Sequence, residues 1–384
     1  MKRMSFYYKG FDLFTSFFCV AYCFQLFIRF PKQFIRLKPF FCCKTNDNFI
    51  WQDLVFCMKD LDPSKIVEST IEEREKHFHE LHRKINTVVP YINETSCYID
   101  YCGPWLEDVW LDNFSRLPFN SFGFFIPLFV PWLNLWHFRH GKYRKIVHRV
   151  LSLLSEKYIY ITLTQNDNGI EGSDNGVTIP GNLFVISAGG KGHVPFLLFS
   201  KELTTNKQSL ANINNKSFEY EYEATFMGTI TTHSIRTKMI ELMKQNNQKT
   251  YIGHANNWIE IYENSDFIMT PRGYGRNSFR LTETLQLGFI PVYIYNDIPW
   301  VPYYDSINWS KFGIIISESQ LDNLSNIMKS LSKETRREMR RNIISHYDSH
   351  FSRSGAFKQL SNFLVSGFSG SDLRCSFFSH QRGK

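Results

Sequence analysis

The segment Asp266–Tyr295, DFIMTPRGYGRNSFRLTETLQLGFIPVYIY, leaves the chain little architectural freedom. The apolar run DFIMT is followed by a loop holding Pro271, Gly273 and Gly275. A helix is expected from about Ser278 to Leu287, stopped by Gly288 where glycine is favoured after a last helical turn. A buried strand, Phe289–Tyr295, follows at once. Strand, glycine loop, helix and apolar strand make a parallel β-loop-α-β unit, which places the chain in the α/β class. Arg272, Arg276 and Arg280 gather with the glycines at the helix start. Backbone N–H groups and the helix dipole favour an anion there, and arginine adds forked donors suited to phosphate oxygens. Glu283, one turn on, is placed to accept hydrogen bonds from ribose hydroxyls, a role acids take in dinucleotide folds. These residue types point to a nucleoside-diphosphate site. The alternative is a surface turn whose three arginines are simply solvated.

The same alternation recurs upstream. Tyr158–Thr164 and Asn182–Ser187 read as strands, each followed by a polar or glycine-rich loop: Gln165-Asn166-Asp167-Asn168-Gly169 and Ala188-Gly189-Gly190-Lys191-Gly192-His193. A helix is expected around 142–156, and further elements at Glu223–Met227, 233–244 and Thr250–Gly253. In open parallel sheets ligands sit outside the carboxyl ends of the strands, so both upstream loops are expected to line a cleft. Residues 200–219, polar and rich in Asn and Lys, read as a linker or long surface loop. A length of 384 residues suits two domains. The expected organisation is a basic, hydrophobic segment over 1–44, a helical stem over 45–88, a first domain over 89–205, a second over 206–345 and a tail over 346–384.

Charge is uneven. Of the net +8, residues 1–50 contribute +6 and residues 334–384 contribute +5, leaving the body near neutral at −3. A near-neutral body excludes nucleic acid as the expected partner. Arg336, Arg337, Arg340 and Arg341 are expected on the solvated face of a helix near 334–345. Leu13–Ile28 is a run of sixteen uncharged residues with basic residues on both sides. It is short for a span and lacks a small-residue cleavage site, so an uncleaved membrane anchor is expected, with a packed or interfacial helix as the alternative. A helix is expected over 62–86, capped by Asp62 with Pro63 in its first turn. Its His77, His79 and His82 have no further ligands nearby and are read as ordinary helix residues, with no metal. Asp60-Leu61-Asp62 has the D-x-D form that some glycosyltransferases use for a metal, but the triplet is short and common. Cys97 and Cys102 are close enough to pair, although nothing in the sequence requires it. Sequons at Asn93, Asn113, Asn215, Asn308 and Asn323 permit a secretory route without proving one.

An ordered series of motifs resembles the C-terminal half of exostosin-like glycosyltransferases. It runs Phe226-x-Gly228 with Arg236 downstream, Pro271-x-Gly273, Arg280-x-x-Glu283 and Gly288-x-Ile290-Pro291-Val292. Asp297, the cluster Trp300–Tyr304, Asn308-Trp309 with Phe312, and Glu318 continue it, so that it covers about residues 224–345. The resemblance implies a GT-B fold, two Rossmann-like domains facing a cleft, with the nucleotide-sugar held mainly by the second. It implies an inverting transfer to a glycan or glycoprotein acceptor that needs no metal and no cofactor, the nucleotide-sugar being a substrate. With the hydrophobic segment it implies a single-pass Golgi membrane protein, the alternative being a cytoplasmic one.

By the same resemblance Arg280 binds the diphosphate, Glu283 binds the ribose and Gly273 admits close backbone approach. On charge grounds Arg280, with Arg272 or Arg276, is expected to stabilise the leaving group, and Arg272 and Arg276 are taken as further donor-binding residues. The chain departs from the family in having Phe289, and Ile268 nearby, where many members have cysteines, which excludes a disulfide there. The usual opening strand is not recognisable, and Ala188–Lys191 stands where an Asp often follows the second strand. For the catalytic base the first-domain loops offer Asp167, Glu171 and His193, with Asp167 first because it follows a strand among small polar residues. A non-catalytic glycan- or nucleotide-binding protein that kept the fold is the alternative function.

Overall fold

A computed structural model describes residues 65–366, apart from 67–68, 93–94, 99–100, 173–175, 205–214, 216–218, 246–248 and 304–306. The run at 13–28, the Asp60–Asp62 triplet, Asn93, most of the linker at 200–219 and the tail after Ser366 lie outside the described residues.

The first unit has helices α1 (Ile71–Val88), α2 (Leu106–Val109), α3 (Trp132–Phe138) and α4 (His140–Leu151). Its strands β1 (Ile126–Pro127), β2 (Tyr160–Thr164), β3 (Leu183–Ser187) and β4 (Val194–Pro195) form a parallel sheet in sequential order. Every residue of β2 and β3 is buried, as expected for parallel strands covered on both faces. The two-residue period divides them: Ile161, Leu163, Phe184 and Ile186 face one apolar cluster, while Tyr160, Leu183 and Val185 face another.

Helix α1 begins nine residues after the expected start. Thr70 accepts from the Glu73 N–H at 3.2 Å, and the Glu73 carboxylate accepts from the Thr70 N–H at 2.9 Å. This reciprocal capping box, a T-x-x-E pattern in the sequence, sets the start at Ile71, while Asp62 and Pro63 lie outside the described residues. His77 and His82 are turned to the sheet, bonded to the Tyr160 hydroxyl at 2.8 Å and the Pro127 carbonyl at 2.9 Å.

The second unit has helices α5 (Ser234–Gln245), α6 (Trp258–Glu263), α7 (Phe279–Gln286), α8 (Leu324–Ser330) and α9 (Lys333–Ser345). Strands β5 (Tyr222–Met227), β6 (Thr250–Gly253), β7 (Ser265–Met269), β8 (Ile290–Tyr295) and β9 (Ile314–Ser317) form a parallel sheet in the order β6-β5-β7-β8-β9. Ile268 and Phe289 pack together with Met227, Tyr262 and Leu287.

The arginines of α9 correct the expectation of a solvated face. Arg340 is buried, its Nε donating to the Gly288 carbonyl at 3.2 Å and its guanidinium lying 4.9 Å from the Phe289 ring centre. Arg336 is ion-paired with Asp266. Arg341 is more open, paired with Glu334 at 3.1 Å. The helix thus uses arginine to close the second unit at the start of β7 and before β8.

Within the stretch expected as a tail, Arg353–Ser366 forms helix α10 and returns to the first unit. Phe357 meets Phe114 and Phe196, and Phe363 meets Phe125 and Phe184. One apolar cluster therefore runs from the first sheet through α10 to Leu281, Leu285 and Tyr293 of the second unit. The carboxyl ends of the two sheets face each other and are bolted together. The Arg276 N–H donates to the Gly189 carbonyl at 2.9 Å, and its Nη1 donates to the Gly190 carbonyl at 2.7 Å. Trp300 Nε1 reaches the Ser187 carbonyl at 2.9 Å, and Asn277 Nδ2 the Phe196 carbonyl at 3.2 Å. Two parallel α/β units facing each other across a cleft, with a last helix that crosses back, is the GT-B arrangement.

Glu107 on α2 is buried beneath the first-unit cleft loop, accepting from the Gln165 N–H at 2.8 Å. Burial pushes its carboxyl up to about 7, against the lowering effect of that hydrogen bond. A raised carboxyl pKa gives stability that is present below the unfolded value and lost as pH rises through the folded one. We therefore predict that wild type loses on the order of 3 kcal/mol relative to Glu107→Gln between pH 4.5 and 7.5 in urea unfolding. A pH-independent difference contradicts the assignment. We also predict that Arg276→Met, which keeps the bulk but removes the bolt, lowers the unfolding free energy by about 2 kcal/mol or more. An unchanged urea midpoint contradicts it.

Candidate active site

Strand order decides where a ligand can enter. The first sheet runs in sequence among the described strands, whereas the second reverses direction between β5 and β7. Such a reversal opens a crevice at the carboxyl ends of the two strands. Gly228 follows β5, and Thr270–Ser278 follows β7 and leads into α7.

This loop is closely determined. The Thr270 and Arg272 N–H groups continue the ladder to the Val292 and Ile294 carbonyls at 2.9 and 3.0 Å, and the Gly273 N–H closes onto the Asn277 carbonyl at 3.1 Å. Ser278 caps α7, accepting from the Arg280 N–H at 3.2 Å. A Cβ on Gly275 would lie 2.0 Å from the Gly189 carbonyl oxygen and 2.5 Å from Asp167 Oδ1, so close approach of the first unit demands glycine there.

Three guanidiniums converge on the crevice. Arg236, from α5, is buried and donates to the carbonyls of Thr229 at 2.7 Å, Arg272 at 2.9 Å and Pro271 at 3.3 Å. It thereby ties the turn after β5 to the loop after β7. Burial, and then the neighbouring Arg280, push its pKa down to about 10, which leaves it charged at neutral pH. Arg280 pairs with Glu283 at 2.6 Å and lies 5.4 Å from the ring centre of Trp258. Glu283 is buried and also accepts from the Ser200 hydroxyl at 3.1 Å. Arg272 reaches Asn296 at 2.6 Å, Asp297 at 3.4 Å and the Tyr274 carbonyl at 3.2 Å, and burial lowers its pKa.

Arg276, expected as a donor-binding residue, is buried, with Nε and Nη2 on Asp297 at 2.8 and 2.6 Å and Nη1 on Gly190. Its guanidinium joins the domains, because the chain turns it away from the helix start towards the facing loop. Gly273 lies beside Arg236, and a Cβ there would stand 3.2 Å from Nη2.

Of the three base candidates, the structure brings one to the crevice. Asp167 is hydrogen-bonded by the backbone of Gly275 and lies within electrostatic reach of Arg272 and Arg236. Burial outweighs these partners and lifts its carboxyl to about 6. Glu171 is ion-paired with Lys191. His193 accepts from the Val185 N–H at 2.9 Å and stacks on Phe184, and burial holds its pKa down at about 3. Both serve the first unit's own structure. Among the described residues no group of three or more His, Cys, Asp or Glu is arranged to hold a metal.

Arg236 and Asp297 stand within the motif series without an expected role. Arg236 had a signal: it shares the helical stripe of Met239, Ile240 and Met243, where a charge belongs only if it is bonded from within. Trp258 carried no comparable mark. Cys97 and Cys102 are bonded.

The Exostosin GT47 domain matches residues 199–331. An exostosin-1 homolog of Caenorhabditis elegans is 32% identical over 92 residues, 24% of this chain and 24% of that protein. A probable β-1,4-xylosyltransferase, IRX10, of Arabidopsis thaliana is 32% identical over 81 residues, 21% of this chain and 19% of that protein. The matched region thus spans a quarter or less of these relatives. The solved structure of TarM aligns over 58% of this chain and 53% of that one at 10% identity, with a TM-score of 0.35, too low to bear on the fold. Residues 199–331, which include every guanidinium of the crevice and Glu283, are thus the part of the chain that matches the exostosin GT47 domain.

Proposed function

We propose that this chain transfers a sugar from a nucleoside-diphosphate sugar to a hydroxyl of a glycan or glycoprotein acceptor, with inversion and without a metal. One observation carries the reading: Arg236, Arg272 and Arg280 converge at the β5/β7 crevice, opposite Asp167 on the facing domain. A cluster of like charges at strand ends suits a diphosphate, and fixed cations there stabilise it as it leaves.

In the proposed step Asp167 takes the proton of the acceptor hydroxyl as that oxygen bonds to the anomeric carbon. The bond from that carbon to the phosphate oxygen breaks, and the nucleoside diphosphate departs with the electron pair. Arg280 and its neighbours balance the charge that develops, the role a metal plays elsewhere. Glu283 is assigned to the ribose, which requires it to share or exchange its present bond to Arg280. A carboxyl lifted to about 6 is well matched to a base working near neutrality.

The anchor at 13–28 is proposed to hold the catalytic domains on the lumenal side of a Golgi membrane. The Cys97–Cys102 disulfide supports this over a cytoplasmic location, since such bonds persist in oxidising compartments.

A screen of nucleotide-sugars, reading transfer and hydrolysis, tests the activity. We expect Arg280→Ala and Glu283→Ala each to lower kcat/KM by about 100-fold or more. Asp167→Asn is expected to remove turnover while leaving nucleoside-diphosphate affinity intact. The wild-type rate should rise with pH through about 6 and level off above it, because only the carboxylate accepts a proton. Normal turnover in either α7 variant contradicts the site. Donor binding without turnover in wild type favours the non-catalytic alternative.

A further inference from the structure

The first unit sends one more side chain to the donor crevice. Between Ser96 and Trp105 the Cys97–Cys102 disulfide and the antiparallel Tyr98–Tyr101 bridge draw two short stretches of chain together into a hairpin-like pair. Within it Tyr98 and Tyr101 exchange backbone hydrogen bonds at 2.9 and 3.2 Å. Both ends are pinned. Asn134 Oδ1 accepts from the Ser96 N–H at 3.1 Å and from its hydroxyl at 3.0 Å, and Trp105 Nε1 donates to the Ser96 carbonyl at 2.8 Å. Arg353, at the start of α10, donates to the Tyr101 hydroxyl at 2.6 Å, and that hydroxyl donates to the Pro104 carbonyl at 2.7 Å.

Between these anchors Tyr98 stands 50% exposed. Its ring stacks on Phe279, the first residue of α7, with ring centres 5.8 Å apart and planes at 26°. Its phenol lies near enough to Arg236 and Arg280 to interact electrostatically with both. Among the described residues its hydroxyl has no hydrogen-bond partner.

We propose that Tyr98 is a donor-binding residue supplied by the first domain. Its hydroxyl donates to the diphosphate of a nucleoside-diphosphate sugar held between Arg236 and Arg280, and the Cys97–Cys102 staple keeps it there. The proposal rests on the function proposed above and adds a contact from the domain that does not carry the GT47 match. A tyrosine with two side-chain torsions on a cross-linked hairpin loses little freedom on binding, so the contact is pre-organised. The donor then touches both domains, and its binding depends on the spacing that Arg276 sets.

Calorimetry on the full chain with UDP, GDP and CDP, and with the matching nucleosides, tests this. For the diphosphate that binds, Tyr98→Phe is expected to weaken affinity by about tenfold, the loss of one hydrogen bond to a charged group. Tyr98→Ala should weaken it further, and the double variant Cys97→Ser/Cys102→Ser should follow the same direction with the tyrosine intact. Nucleoside affinity should stay within about twofold in Tyr98→Phe, since the hydroxyl addresses phosphate. Diphosphate affinity unchanged in Tyr98→Phe, or an equal loss on the nucleoside, overturns the proposal while leaving the function standing. Wild-type protein that binds none of the three diphosphates overturns the proposed function, and the Tyr98 contact with it.

Discussion

Arg276 sets the geometry on which the rest of the site depends. It leaves the loop before α7, crosses to the facing domain, and bonds the Gly189 and Gly190 carbonyls while Asp297 holds its guanidinium from behind. Removing either support would leave a buried cation poorly paired, which is far costlier than never having placed it there. Because the bolt lies between the two glycine loops, it also fixes the approach of Asp167 to Gly275. Domain spacing and site chemistry are thereby one constraint. The apolar cluster shared by the first sheet, α10 and α7 supplies the bulk of the adhesion, and the polar bonds choose the register.

With that spacing set, the crevice is electrostatically unbalanced. Arg236 has its hydrogen bonds occupied by three backbone carbonyls, yet its charge remains, and Arg280 beside it makes that charge harder to bear. Glu283 offsets part of the excess through Arg280. Asp167 adds to that offset only above about pH 6, because burial keeps its carboxyl protonated below that. A diphosphate bound there would relieve the repulsion, its charge met by dipoles and cations already fixed in place.

Much of this was legible in the sequence where a short pattern had one local solution. DFIMT, the glycine loop, a helix stopped by Gly288 and a buried strand became β7, the loop, α7 and β8 with boundaries shifted by a residue or so. The α1 start was misjudged because the T-x-x-E pattern at Thr70–Glu73, closed reciprocally, was not read as a cap. The arginines divide along the same line. Arg280 follows from its place at a helix start. Arg276 and Arg340 do not, since their partners, Gly190 and Gly288 among others, lie 86 and 52 residues away. Long-range pairing of that kind leaves no mark in local spacing. Helix α10 was hidden for a similar reason, as its apolar face makes sense only against the first sheet.

The central claim is that the donor diphosphate lies at the β5/β7 crevice. A crystal structure of the protein with a bound nucleoside diphosphate tests it most directly. The account predicts phosphate oxygens within hydrogen-bonding distance of Arg280 and the Gly273 region, beside Arg236 and facing Asp167. Phosphates seated instead on the Gly189–Gly192 loop of the first domain, with Arg280 still bound only to Glu283, would contradict it.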